Sequence, residues 1–197
     1  MPLMRSNKTA LIAVTLALLS ALCALFALAC GKPRIVPRMA PGVRLASITV
    51  TSPAFTEGSR IPVDHTCDGK DLMPELVLSS PPENTKSLVL FVEDPDSSDG
   101  TFTHMVAFDI SPDVRKLAAG TELSGAGEAA RFGLNDLQVA HYSGPCPPKG
   151  EAHRYRYRVV ALDTVLNLPE AAPLRQIDEA IDGHIIGEGV LTGHYGH

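Results

Sequence analysis

The sequence predicts a mainly β protein, a sandwich of two antiparallel sheets with one short helix close to its C-terminal end. Three observations predict it. Short apolar runs separated by turn residues recur from residue 45 onward. Gly and Pro number 16 each, against 5% aromatic residues and no Trp. Helical spacing of apolar residues stands out only over 174–181. Such a composition favours many short strands joined by tight turns over a helical bundle, and those strands bury their apolar faces against a second sheet. At 197 residues the chain has room for one domain and an appendage. A core of that size stands without staples.

The appendage is N-terminal. Arg5 and Lys8 precede an uncharged, Leu- and Ala-rich stretch from Thr9 to Gly31, the layout of a secretory signal. It is also long enough to span a bilayer, for which about 20 apolar residues suffice. Its end, Phe26-Ala27-Leu28-Ala29-Cys30-Gly31, resembles a bacterial lipobox, with Ala27 where Leu is usual. Residues 1–30 therefore read as a signal peptide whose cleavage leaves Cys30 lipidated; an uncleaved membrane anchor and plain secretion are the alternatives. The expected location is the bacterial cell envelope, with the N-terminus on the membrane and the folded part facing the periplasm or exterior. Residues 31–44 read as a Pro-rich basic linker: Pro33, Pro37, Pro41 and Gly42 break regular structure, and Lys32, Arg34, Arg38 and Arg44 are all positive. The folded domain is then 45–197.

Each element of that domain has its own signal. Leu45 to Thr51 alternates as a first strand, Ile61 to Val63 is a short extended piece, and Leu76 to Leu78 is another. The unbroken apolar run Ser87 to Glu93 suggests a strand buried on both faces. Thr103 to Ile110 is a second strong strand, and the period of two places His104 on one face with Val106 and Phe108. From Leu117 to Val139 no period persists, so the segment reads as a long ordered loop. His153 to Asp163 alternates again, with His153, Tyr155, Tyr157 and Val159 on one face and three arginines on the other, where carboxylates or solvent must meet them. Leu174, Ile177, Ala180 and Ile181 share a helical face between Pro173 and Gly183. His184 to Tyr195 closes the chain as a glycine-interrupted strand.

Two stretches carry chemistry. Asp94-Pro95-Asp96 ends the buried strand, where a rigid scaffold holds a loop, and His104 follows in the next strand. Gly144-Pro145-Cys146-Pro147-Pro148 is a rigid turn leading to His153-Arg154-Tyr155. If the two meet, they form an anion pocket. Histidines and turn amides donate to anionic oxygens; the carboxylates orient the imidazoles and favour their protonated forms, or accept from an ammonium on a zwitterionic headgroup. Export leaves Cys67 and Cys146 in an oxidising compartment, where they can form one disulfide; two buried thiols that never meet are the other reading. Neither has the close spacing of a zinc site, so no metal and no cofactor is expected. The net charge of −5 gives nucleic acid no electrostatic support.

These motifs, in this order, resemble the phosphatidylethanolamine-binding protein family, and within it the bacterial branch of Raf kinase inhibitor-like proteins. The resemblance rests on Asp94-Pro95-Asp96, His104, Gly144 to Pro148 with Gly150, His153-Arg154-Tyr155, Ala161-Leu162-Asp163 and Gly183-His184-Ile185-Ile186, with Thr66-Cys67-Asp68-Gly69 upstream. It runs from about Leu45 to Tyr195. Ser98 stands where many relatives have a proline, and Met105 where an aromatic residue commonly follows the histidine. The resemblance implies the two-sheet fold and a small pocket for a phosphate-like anion formed by Asp94, Asp96, His104, Gly144, Pro145, His153 and Tyr155. It implies a binding role for a phosphate-containing small molecule, lipid headgroup or phosphorylated side chain. The alternative is an inhibitor that contacts an envelope protein; a homodimer is compatible with either. No catalytic residues are assigned, since the sequence has no nucleophile elbow and no paired zinc histidines.

Overall fold

The computed structural model describes residues 44–120 and 126–197, together with Gly42. The expected signal segment with Cys30, and the linker apart from Gly42 and Arg44, lie outside the described residues. Nine strands and one α-helix are described: β1 (Ala46–Ser47), β2 (Val50–Thr51), β3 (Leu76–Leu78), β4 (Ser87–Asp94), β5 (Phe102–Ile110), β6 (Lys116–Leu117), β7 (Arg131–Phe132), β8 (Ala152–Leu162), α1 (Leu174–Ile181) and β9 (Ile185–Gly196). They form a six-stranded sheet in the order β1-β9-β8-β4-β5-β7 and a three-stranded sheet in the order β2-β3-β6. Pairing between strands is antiparallel except between β1 and β9. No described helix is long and apolar enough to cross a membrane.

The central strand explains its own composition. All eight residues of β4 are buried because its two faces meet different cores. Leu88, Leu90 and Val92 join the core shared with Val50, Leu76, Leu78 and Leu117 of the small sheet. Val89 and Phe91 join Ile177 and Ile181, which α1 lays over the outer face. Full burial of such a side chain is worth about 1.5–3 kcal/mol, and the polar residues Ser87, Glu93 and Asp94 stand only at the two ends of the strand. The helix is short and framed as its sequence suggests: Pro173 directly precedes it, and Gly183 follows with φ +82°.

Two of the three arginines of β8, Arg154 and Arg158, find carboxylates. Arg158 Nε and Nη2 donate to both oxygens of Glu93 at 3.0 Å, and its guanidinium lies 4.6 Å over the Phe91 ring. Arg154 clamps Asp96 at the start of the same strand. The glycines of β9 serve close approach: a Cβ on Gly189 would come within 2.0 Å of the Ile48 carbonyl oxygen.

Four sequence expectations change. Leu45 to Thr51 is two strands, because the chain leaves the large sheet after Ser47 and enters the small one at Val50. Val63 begins a 3-10 turn to His65 where an extended piece was expected. The loop after Leu117 contains β7, which pairs with Ala107 and Phe108 of β5. His104 does not share a face with Val106 and Phe108. Consecutive residues Val92 and Glu93 of β4 pair with Met105 and Thr103 of β5, so His104 is the extra residue of a β-bulge. A bulge re-aims its side chain, and the imidazole packs 5.3 Å from Tyr155 on the inter-sheet side.

Candidate functional site

The strand order makes β8 the direct neighbour of β4, and its antiparallel register brings His153, near the start of β8, to the end of β4 where Asp94 lies. His153 Nδ1 donates to Asp94 Oδ2 at 2.7 Å, with side chains only 9% and 6% exposed. Its Nε2 lies 3.2 Å from Glu151 Oε2 on a carboxylate that is 60% exposed. Two acceptors, one at each ring nitrogen, are both served only by the protonated imidazolium. The Asp94 hydrogen bond raises the His153 pKa above its ordinary value; burial opposes it and the Glu151 contact adds to it. Asp94 is itself held, because its Oδ1 accepts the Asp96 N–H at 2.9 Å.

His104 is the opposite case. Its Nδ1 donates to the Ser143 carbonyl at 2.8 Å, which fixes the tautomer and leaves Nε2 as an acceptor in the neutral ring. Burial pushes its pKa down, against smaller upward pulls from Ser143 and Asp94. The site therefore pairs an imidazole whose surroundings favour its proton with one whose surroundings disfavour it.

Between them is a cavity of about 240 Å³, lined by Asp94, His104, Gly144, Cys146 and His153 together with Ser97, Phe102, Leu137, Pro147 and Pro148. Gly144 is required there by packing, since a Cβ would come within 2.6 Å of both Asp71 Oδ1 and the His65 carbonyl. Cys67 and Cys146 are joined by a disulfide, with Cα atoms 5.5 Å apart. Cys67 N–H also donates to the Pro145 carbonyl at 3.1 Å. The wall formed by the 144–148 turn is thus pinned to the 65–71 loop covalently and by hydrogen bonds.

Three expected pocket residues take other places. Asp96 is not in the cavity wall; its carboxylate accepts from Arg154 N and Nε at 2.9 Å and from Nη2 at 2.5 Å, and the guanidinium holds its pKa down at about 2. Pro145 is buried behind the wall. Tyr155 is fully buried beneath His104; burial pushes its pKa up, and the Asp94 charge adds to this. Nor is the turn an array of free amides. Ser143 N–H goes to the His104 carbonyl and Gly144 N–H to Asp71 Oδ1, while Pro145, Pro147 and Pro148 have none.

Other residues carry weight that the motifs do not reveal. Asn135 ties the two halves together, donating from Nδ2 to the His104 carbonyl at 2.9 Å and accepting at Oδ1 from Leu137 and Val139. That turn sets Leu137, 57% exposed, on the cavity rim. The signal in sequence was only an Asn-Asp pair inside a stretch with no period.

The chain has relatives. The family model for phosphatidylethanolamine-binding protein matches residues 51–196, most of the chain and nearly all of its described part. The chain belongs to the phosphatidylethanolamine-binding protein family. It is 41% identical over 143 residues to a UPF0098 protein of Methanothermobacter thermautotrophicus, covering 72% of this chain and 94% of that one. To the UPF0098 protein PH1269 of Pyrococcus horikoshii it is 39% identical over 158 residues, covering 78% and 79%. Among solved structures of the family, the homolog CT736 from Chlamydia trachomatis superposes with a TM-score of 0.70 at 39% identity, covering 77% of this chain and 98% of that one. Escherichia coli YbcL, described as a new member of the mammalian family, gives 0.71 at 27% identity, covering 77% and 99%.

Proposed function

We propose that the chain is an envelope-tethered binding protein that holds a phosphate-bearing ligand in the cavity between His104 and His153. The observation that carries this reading is the His153 imidazolium, fixed by Asp94 at the mouth of a small cavity. Its Nε2 N–H is a charge-assisted donor that an anionic oxygen can take over from the exposed Glu151. A cavity of about 240 Å³ falls below the roughly 300–1,000 Å³ of sites for drug-sized ligands, which suits a headgroup-sized anion. The apolar rim of Phe102, Leu137, Pro147 and Pro148 suits what the phosphate is esterified to.

Calorimetry with O-phosphoethanolamine and with inorganic phosphate tests the site. His153→Ala is expected to weaken binding at least tenfold, since it removes a hydrogen bond from a charged donor worth about 1.5–3 kcal/mol. Unchanged binding sinks the assignment. The role proposed is retention without turnover, and hydrolysis of phosphate or carboxylate esters by the purified protein would overturn it. Tethering through Cys30 predicts a lipid-bearing N-terminal peptide in detergent extracts, and a mature chain that keeps Met1 contradicts it.

A further inference from the structure

One corner beside the cavity holds metal-ligand chemistry that the proposed binding role does not use. Cys67 and Cys146, 79 residues apart in sequence, meet His197 there, and their sulfurs and a ring nitrogen all lie within 4.8 Å of one another. His197 Nδ1 is 2.9 Å from Asp68 Oδ2, and its Nε2 is 2.9 Å from the Pro147 carbonyl oxygen. Each ring nitrogen faces an acceptor, so a cation on His197 takes the place of one of these two hydrogen bonds, with loss of that nitrogen's proton. Both cysteines are on the surface, within reach of a reductant.

We propose that reduction of the Cys67–Cys146 bridge turns this corner into a site for a thiophilic divalent cation of the zinc class. A dithiol reductant supplies two electrons and two protons and leaves as its own disulfide, giving two thiols. Zinc then binds as the two thiols release two protons to solvent and the His197 nitrogen gives up its own, forming two Zn–S bonds and one Zn–N bond to His197. Water completes four ligands. Tetrahedral zinc bonds of about 2.0–2.3 Å place neighbouring ligand atoms roughly 3.3–3.8 Å apart, inside the 4.8 Å that encloses the three atoms here. Two thiolates and an imidazole favour zinc over calcium or magnesium, which take oxygen ligands. The consequence concerns the cavity, because Cys146 is in its wall. The metal replaces the disulfide as the link between the 144–148 turn and the 65–71 loop, so the wall stays pinned in either redox state.

The test uses the full chain with Cys23→Ser and Cys30→Ser, so that only two thiols remain, reduced with a phosphine and titrated with Zn²⁺. Native mass spectrometry is expected to show one zinc per reduced chain and none on the oxidised chain. Both thiols become protected from alkylation, and the melting temperature rises only for the reduced chain. His197→Ala keeps the disulfide and so folds before reduction; it is expected to bind zinc at least tenfold more weakly. A reduced chain that takes up no zinc, or a His197→Ala protein that binds it as tightly, overturns the proposal.

Discussion

In the proposed binding mode Glu151 competes with the anion for His153, and removing its charge is the sharpest test of the site. In Glu151→Gln the carboxylate 3.2 Å from His153 Nε2 becomes a neutral amide that leaves the cavity mouth less negative. The contact is an exposed one, with the Glu151 side chain 60% accessible, and exposed ion pairs are worth about 0.2–1 kcal/mol. An incoming phosphate must displace that contact, so its loss is expected to tighten binding by up to about fivefold. The effect has a pH signature, because Glu151 is also one of the groups that raise the His153 pKa. The variant therefore loses its imidazolium at a lower pH, and its advantage shrinks as pH rises. Calorimetry with O-phosphoethanolamine across the titration of His153, with low salt to limit screening, reads both effects. Equal or weaker binding by Glu151→Gln would show that the carboxylate meets the ligand, through its ammonium, instead of competing with it.

Other consequences follow from the same contacts. Replacing Cys67 and Cys146 by Ser frees a loop of 79 residues in the unfolded chain, for which the chain-entropy relation gives about 4.5 kcal/mol; urea denaturation showing a loss below about 1 kcal/mol would contradict the role of the bridge. Phosphate affinity is expected to rise as pH falls, since anion donation by His104 requires protonation that burial disfavours, and proton uptake on binding should appear as a buffer-dependent heat. Because His153 has a raised pKa in the folded state, its pair with Asp94 stabilises fully below the unfolded value of about 6.5 and fades as pH rises through the folded one; Asp94→Asn should flatten that part of the pH–stability profile. Gly144→Ala forces a methyl to within 2.6 Å of Asp71 and the His65 carbonyl, and is expected to cost about 1–3 kcal/mol by thermal denaturation while weakening phosphate binding.

Much of this was legible in the sequence for a local reason. Side-chain alternation has a period of two, so β8 declares which residues face inward, and an unbroken apolar run such as β4 declares burial on both faces. The helix over 174–181 follows from one apolar stripe between Pro173 and Gly183. The family resemblance placed Asp94 and His153 in one pocket, each at a strand end that its own pattern located, and the structure pairs them. Local patterns also mislead where backbone geometry departs from them. The bulge at His104 cannot be read from composition, because it arises from pairing with β4.

The sequence by itself determined a mainly β domain, its principal strands, its late helix and the two stretches that would meet. Tertiary structure alone decided what those residues do on meeting. Asp94 holds an imidazole while Asp96, two residues on, holds Arg154 outside the cavity; the same side chain in the same motif is separated by which neighbour β8 presents. Cys67, Cys146 and His197 show no metal-ligand spacing along the chain, yet they converge within 4.8 Å. Their proximity comes from long-range closure, as β9 returns beside β8 and carries His197 to the 144–148 turn. Spacing in sequence encodes only local geometry, and these contacts span up to 130 residues, the distance from Cys67 to His197.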